Sequence, residues 1–432
     1  MIKKEQSNFF NALEQRISAY QFFQMLRFSS LLIPGIVLAQ AAYSKEDIGL
    51  FEAFLMTASS ISFFWVSALF SSLLSQHQKE ENFLQYTWLL SLGCSVVAAF
   101  AVLVYFFLFR STSFDPIYLV CLIVYLLTNN PAFSIENAML LEKENKSLVT
   151  YGMLFFIVQM LCPIIIVSLH LPIQYLIFAI VLFSICRFLF SFFKLFSKGN
   201  FTYHQKTMIF LLMAAAPLAL SYLMSGAAEY VDAFIVTKYF GKGAFGVYRY
   251  GAREFPVFLL LANTLSISMI PGIASNLTQG LSELKKRSSF LMHIAFPTMI
   301  VLVLCSKWIY PFVFNQAFAP AATYFNYYAL LLICRLVFPQ TILMALKQNK
   351  IVLISATIEL FLNVSLSLVL LPSFGILGII WATIIAYSVD KLFLIAYCKW
   401  RLKLDIKAFI PLKTLAGYSL VLLSVLGLII FF

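Results

Sequence analysis

Apolar runs long enough to cross a bilayer follow one another along almost the whole chain, joined by short polar links, and this pattern decides the fold class before any motif is read. A hydrocarbon core of about 30 Å takes about 20 mostly apolar residues as one helix. In lipid every backbone N–H and C=O must be satisfied inside the protein, which leaves helices and closed barrels. Runs of helical length fall near residues 17–42, 48–74, 83–109, 116–141, 148–169 and 173–196. They continue near 207–239, 246–275, 288–309, 321–346, 350–371 and 373–398, and a thirteenth covers 408–432. Charged residues make up 11% and hydrophobic residues 62% of the chain, whereas a soluble domain is about a quarter charged. The reading is an all-α integral membrane protein, with Pro34, Pro163, Pro217, Pro256 and Pro339 expected to kink the spans that hold them.

The net charge of +12 is distributed unevenly. With a cytoplasmic N terminus, nineteen Lys and Arg fall in cytoplasmic segments, five of them over 399–413, and six fall on the opposite side. Positive charge of short loops stays in the cytoplasm, so this orientation is expected, and the basic excess is not a nucleic-acid footprint.

The sequence also repeats. Ile48-Gly49-Leu50-Phe51 returns as Phe245-Gly246-Val247-Tyr248, and Lys143-Glu144-Asn145-Lys146 returns as Lys347-Gln348-Asn349-Lys350. Ser184 and Arg187 fall on Ser388 and Lys391 at the same offset. Six spans per repeat is an even number, so both halves share an orientation. Two pseudo-symmetric six-helix lobes, spans 1–6 and 7–12, are expected around a central cavity, with an extra C-terminal helix. The corresponding segments are 1–200, 201–404 and 405–432, with the lobe boundary near 197–206.

Ionisable residues inside such spans cost several kcal/mol unless they face a bundle interior or a wet cavity, so each one is a candidate. Arg27 lies near the middle of span 1, and Arg249 and Arg253 are spaced i, i+4 along span 8, so they are expected to share one helix face. Glu52 occupies the position of the repeat equivalent to Arg249. Two readings stand for Glu52 and Arg249: an ion pair between lobes at the outer mouth, or interface charges that snorkel to water. Arg187, Arg335 and Lys391 lie on later helices, where pairing within one lobe is expected. The acids group in the second lobe: Glu229 and Asp232 are i, i+3 on span 7, and Glu359 and Asn363 are i, i+4 on span 11. Their oxygens are candidates to hold Na⁺ or share a proton; the alternative is that Asp232 or Glu359 simply pairs with Arg335 or Lys391. Glu136, about one turn from the cytoplasmic end of span 4, is either a gate acid or an interface residue.

Other patterns are discounted. Gly241-Lys242-Gly243-Ala244-Phe245-Gly246 matches a dinucleotide fingerprint literally, yet joins two membrane helices and follows no strand. His77, His170, His204 and His293 are scattered without Ser or Asp partners. The seven Cys show neither C-x-x-C spacing nor a disulfide framework. No catalytic residues, no metal centre and no cofactor are expected, and the chain reads as a non-enzyme.

In the order of these features the chain resembles the polysaccharide flippases of the multidrug/oligosaccharidyl-lipid/polysaccharide exporter superfamily. The residues that carry the resemblance are Arg27 through Leu31-Leu32-Ile33-Pro34-Gly35, Ile48-Gly49-Leu50-Phe51, Pro217 through Asp232, Phe245-Gly246-Val247-Tyr248, and Ser268-Met269-Ile270-Pro271. The resemblance implies a transporter of the bacterial inner membrane that flips undecaprenyl-pyrophosphate-linked oligosaccharide repeat units, such as those of O-antigen, by alternating access. It implies the lipid-linked oligosaccharide, membrane lipids and a polysaccharide polymerase as partners, no nucleic acid, and either no coupling ion or Na⁺ or H⁺. On it, Arg27, Arg253 and Arg249 would hold the pyrophosphate, and Tyr222, Tyr230, Tyr248 and Tyr250 are candidates to stack on sugars. The alternatives are a multidrug or small-molecule cation antiporter of the same superfamily and a membrane enzyme of polysaccharide assembly.

Overall fold

A computed structural model describes residues 23, 26–41, 43–76, 82–109, 116–142, 144–197 and 203–431. Among the described residues there are helices and links but no strand. Among the described residues eleven helices are long and apolar enough to cross a membrane, and twelve if a bent pair counts as one span. His77, Arg110, Lys143, residues 17–22 of the first span and residues 198–202 of the 197–206 link lie outside the described residues. By packing, the chain divides into two compact units, Met1–Leu223 and Met224–Phe432.

The first unit holds α1 (Leu26–Gln40), α2 (Lys45–Gln76), α3 (Phe83–Phe109) and α4 (Pro116–Leu141). It continues with α5, built of Asn145–Gly152, a π-helical turn over Met153–Ile157 and Val158–Ser168, then α6 (Gln174–Phe196). The first part of α7 (205–240) closes it, with Leu211 and Ala215 in the core. Helix α4 packs on α6, α3 and α2. An aromatic block welds α3 to α6: the Trp88 ring sits 5.0, 5.6 and 5.4 Å from Phe188, Phe192 and Phe196, and its Nε1–H donates to Ser191 Oγ at 3.0 Å. The indole therefore buries its area without orphaning its donor.

The second unit begins with the rest of α7 and continues through α8 (242–251), α9 (Pro256–Ser275) and α10 (Leu277–Val313). Three short helices follow, α11 (Ala319–Tyr328), α12 (Leu331–Arg335) and α13 (Pro339–Ala345), then α14 (Asn349–Phe374), α15 (Ile376–Trp400), α16 (Ile406–Phe409) and α17 (Leu412–Phe431). Gly241 separates α7 from α8 with φ 83°, a left-handed conformation that glycine adopts without a Cβ penalty. The glycine-rich segment is thus a helix-to-helix link. At Gly251 a Cβ would lie 2.5 Å from the Ala321 carbonyl oxygen, so α8 and α11 approach backbone to backbone.

Two expected spans are broken. The run over 246–275 stops at Gly251 and restarts at Pro256, and the run over 321–346 is α11, α12 and α13. Pro256 and Pro339 each stand at the start of a helix rather than within one. Proline has no N–H to give and forces its predecessor out of the helical region, and Phe255 is extended with ψ 118°. Pro34, Pro163 and Pro217 do lie inside helices.

The repeat is visible in local structure. Asn145 and Asn349 each open a helix. Ser184 Oγ meets Thr128 Oγ1 at 2.6 Å, and Ser388 Oγ meets Cys334 Sγ at 3.5 Å, the same tie 204 and 206 positions further along.

Candidate functional site

In the first unit α1, α4, α5 and α6 bring their polar residues to one point. Glu136 of α4 is 5% exposed and accepts from Arg187 Nη2 of α6 at one carboxylate oxygen. At the other it meets Arg27 Nη1 of α1 at 3.4 Å. Arg187 also donates from Nε to the Tyr151 hydroxyl and from Nη1 to Asn129 Oδ1, each at 2.8 Å. The Phe133 ring lies beneath both guanidinium groups, 4.2 Å from that of Arg27 and 5.2 Å from that of Arg187. Two guanidinium groups against one carboxylate leave this cluster with an excess positive charge. Arg187 is buried, while the Arg27 side chain is 35% exposed. Glu136 is thus a buried counter-ion shared by two arginines, and Glu52 is buried on α2.

In the second unit the residues paired by sequence spacing separate. Glu229, 62% exposed, takes Arg249 Nη1 at 2.7 Å, whereas Asp232, one turn on, is 1% exposed and faces inward. Arg249 and Arg253 do not share a helix face: the helix ends at Gly251, and the Arg253 N–H turns back to the Gly251 carbonyl at 2.8 Å. The break before Pro256 is the reason. Tyr248 and Tyr250 are buried, and the Tyr250 ring packs 4.8 Å from Phe314 and 6.0 Å from Phe318. These two tyrosines are core residues, not a sugar platform.

Asp232 is surrounded by neutral oxygen groups. Thr383 Oγ1 of α15 donates to Asp232 Oδ2 at 2.6 Å, and Ser367 Oγ of α14 reaches Oδ1 at 3.4 Å. Asn363 Nδ2 donates to Thr383 Oγ1 at 3.1 Å, and Asn363 Oδ1 is buried with no hydrogen-bond partner. Neither Arg335 nor Lys391 is its partner. Arg335 forks onto Glu254, with Nε at 2.6 Å from Oε2 and Nη2 on Oε1, and lies 4.8 Å from the Tyr387 ring. Lys391 pairs with its neighbour Asp390 at 3.0 Å and lies 4.6 Å from the same ring. Asp390 also accepts from Ser355 Oγ. Glu359 is set among Asp390, Lys391, Arg335 and Glu254, so it belongs to this charged network and not to the Asp232 group.

Thr383, Ser367, Ser355, Glu254 and Asp390, with Asn129, Tyr151 and Phe133 in the first unit, are participants that sequence reasoning missed. For the two serines of α14 one signal exists: Ser355, Glu359, Asn363 and Ser367 recur at four-residue intervals on α14, a polar stripe on an apolar helix. Each residue of that stripe faces one of the two polar groups. As a chemical unit, Asp232, Asn363, Thr383 and Ser367 offer hard oxygen donors with a single negative charge and an unused amide oxygen, a set that fits a monovalent cation such as Na⁺. Among the described residues no group of three or more His, Cys, Asp or Glu is placed to hold a metal ion.

Comparison with known proteins agrees with this architecture. The chain is similar over 95% of its length to a structure of the lipid II flippase MurJ in an inward closed conformation, covering 92% of that chain with TM-score 0.67 and 19% identity. It is also similar to an inward-facing multidrug resistance MATE family transporter of the MOP superfamily, with TM-score 0.62, 16% identity, and 90% and 98% of the two chains covered. A MOP superfamily transporter from Pyrococcus furiosus aligns with TM-score 0.54 and 14% identity over 89% of this chain and 94% of that one. No curated protein sequence matches the chain. The family described as polysaccharide biosynthesis protein matches residues 37–323. Its helices and this match together establish that the chain is a multi-pass membrane protein with the fold of these transporter structures, and that it belongs to the polysaccharide biosynthesis protein family.

Proposed function

We propose that this protein flips an undecaprenyl-pyrophosphate-linked oligosaccharide across the bacterial inner membrane, with its N terminus in the cytoplasm, by alternating access. The observation that carries the reading is Arg27: a third of its side chain is exposed, on an apolar helix, in a cluster that retains excess positive charge. A guanidinium presents paired N–H groups that match phosphate oxygens bidentately, and Phe133 beneath it holds the fork in place. Family membership supports a glycan-assembly role, and the fold supports transport rather than catalysis. Arg253, on the link between α8 and α9, and the Arg249–Glu229 pair supply further polar contacts in the second unit. Glu52 belongs to the same proposal as a buried acid of α2.

Coupling to a monovalent cation is part of the proposal. Asp232, Asn363, Thr383 and Ser367 would hold Na⁺, whose charge would offset that of the buried carboxylate. Glu359 is the candidate for a proton, because it shares its network with two other acids and two bases. The same Asp232 group favours the second reading, export of a small cation, since a buried carboxylate is what such a substrate requires.

The test is leaflet accessibility of a fluorescent undecaprenyl-pyrophosphate oligosaccharide in liposomes holding the purified protein. Arg27→Ala is expected to lower transport at least tenfold at normal abundance, equivalent to about 1.4 kcal/mol of lost interaction. Wild-type transport by both Arg27→Ala and Arg253→Ala refutes the lipid-linked substrate and leaves the antiporter reading. A polymerase partner would be sought by co-purification from native membranes.

A further inference from the structure

The basic stretch after α15 turns back over the polar end of α10, and together they line an open cavity of about 790 Å³. Lys285 and Lys286 of α10, Lys407 of α16 and Lys413 of α17 all line it, and among the described residues no acid does. The nearby carboxylates are engaged elsewhere. Glu283 accepts from Arg287 Nε at 2.6 Å, and Asp405 caps α16 by accepting from the Lys407 N–H at 3.0 Å. Among the described residues none of the four lysines forms an ion pair. Lys285 Nζ donates to the Lys407 carbonyl at 2.8 Å, a contact that ties the two walls without neutralising the charge.

Its depth follows from the sequence. Lys285 and Lys286 come just before the apolar run of α10, and Lys407 and Lys413 flank the start of the apolar run of α17. The cavity therefore lies at headgroup level, on the side that the charge distribution assigns to the cytoplasm. Apolar side chains share the lining: Phe290 is 68% exposed, and Leu412 is exposed as well. The hydroxyls of Ser289 and Thr414, 3.5 Å apart, also line the cavity. His293 Nδ1 contacts the Tyr418 hydroxyl at 2.9 Å on the deeper side.

We propose that this cavity binds the headgroup of an anionic phospholipid from the surrounding leaflet. Its phosphodiester oxygens would lie among the lysine ammonium groups and the two hydroxyls, and its acyl chains would run over Phe290 and Leu412. Basic pockets between membrane helices on the cytoplasmic side suit such headgroups. The other source of the same phosphate chemistry, the diphosphate of a polyprenyl lipid, is separated from this one by the experiment. The proposal does not rest on the transported substrate.

The purified full-length protein is titrated in detergent with phosphatidylglycerol, phosphatidylethanolamine or undecaprenyl diphosphate, and retained lipid is counted by native mass spectrometry. Two double variants accompany the wild type: Lys286→Gln with Lys413→Gln, and Lys286→Arg with Lys413→Arg. Both leave the Lys285–Lys407 tie intact. An anionic headgroup gains about fivefold in binding from each nearby lysine, so the Gln variant is expected to hold phosphatidylglycerol about 25-fold more weakly, and the Arg variant about as well as wild type. Phosphatidylethanolamine is expected to dissociate from all three. Equal retention of phosphatidylglycerol by wild type and the Gln variant overturns the proposal, as does equally tight phosphatidylethanolamine. Retention of undecaprenyl diphosphate in preference to phosphatidylglycerol overturns it in favour of a substrate-docking site.

Discussion

The Glu136–Arg187 pair is the contact on which the polar interior of the first unit depends, and its energy can be isolated by a double-mutant cycle. Glu136→Gln leaves Arg187 buried with the Tyr151 hydroxyl and Asn129 Oδ1 as neutral acceptors. Removing one partner of a buried ion pair costs about 3 to 5 kcal/mol because the other charge is left uncompensated. With two neutral acceptors in place, the lower figure of about 3 kcal/mol is expected. Arg187→Met costs a similar about 3 kcal/mol, since Arg27 at 3.4 Å is a long and half-hydrated substitute. The double variant buries no unpaired charge at this point and orphans only Tyr151 and Asn129, at about 1 kcal/mol each. Singles that sum to about 6 kcal/mol against a double near 2 give a coupling of about 4 kcal/mol. The assay is unfolding of purified protein by SDS titration in mixed micelles, followed by the fluorescence of Trp65 and Trp88, both buried in that unit. Additive single effects, or a coupling below about 1 kcal/mol, would show that the pair is not the keystone its geometry implies.

Other perturbations follow from the same structure. Asp232→Asn is expected to abolish stabilisation of the protein by Na⁺ in a thermal melt, while Glu229→Gln leaves it intact because Glu229 points to Arg249; equal loss in both refutes the grouping. Gly251→Ala forces α8 away from the Ala321 carbonyl and is expected to cost about 1 to 3 kcal/mol by the same SDS titration. Arg335→Lys keeps the charge but loses the fork onto Glu254 and the planar contact with Tyr387, and is expected to lower the melting temperature where a conservative exchange at an exposed site does not.

Much of the fold is legible as hydropathy because lipid imposes the element length. The runs read at 83–109 and 116–141 are the helices Phe83–Phe109 and Pro116–Leu141. The breaks near Ala252 and within the 321–346 run are not legible this way, since an apolar run stays apolar whether or not its hydrogen-bond ladder is continuous. Pro256 and Pro339 mark both breaks, but Pro34, Pro163 and Pro217 sit in unbroken helices. Composition alone does not tell these cases apart. Site residues divide in the same manner. Position along each span is written in the sequence, so Asp232 and Asn363 both stand among the second-lobe candidates, and the structure brings them together through Thr383. Azimuth between helices is not, so Arg27 could not be matched to Glu136, nor Glu229 to Arg249. Thr383 and Ser367 escape notice because a hydroxyl on a membrane helix ordinarily bonds to its own backbone, as Thr383 also does toward the Ile379 carbonyl at 3.1 Å.

The unequal sharing of Glu136 has a consequence for how an anion would be received. Arg187 holds one oxygen of that carboxylate closely, and Arg27 touches the other only at 3.4 Å. If Arg27 swings away, Glu136 keeps a full counter-charge and no buried group is stranded. In the proposed transport, docking of a phosphate would then be an exchange of partners rather than the rupture of a bond. The resting carboxylate would act as a placeholder, keeping the Arg27 guanidinium over Phe133 until a more highly charged anion displaced it. Release can run the same exchange backwards, with the carboxylate already in position to reclaim its arginine.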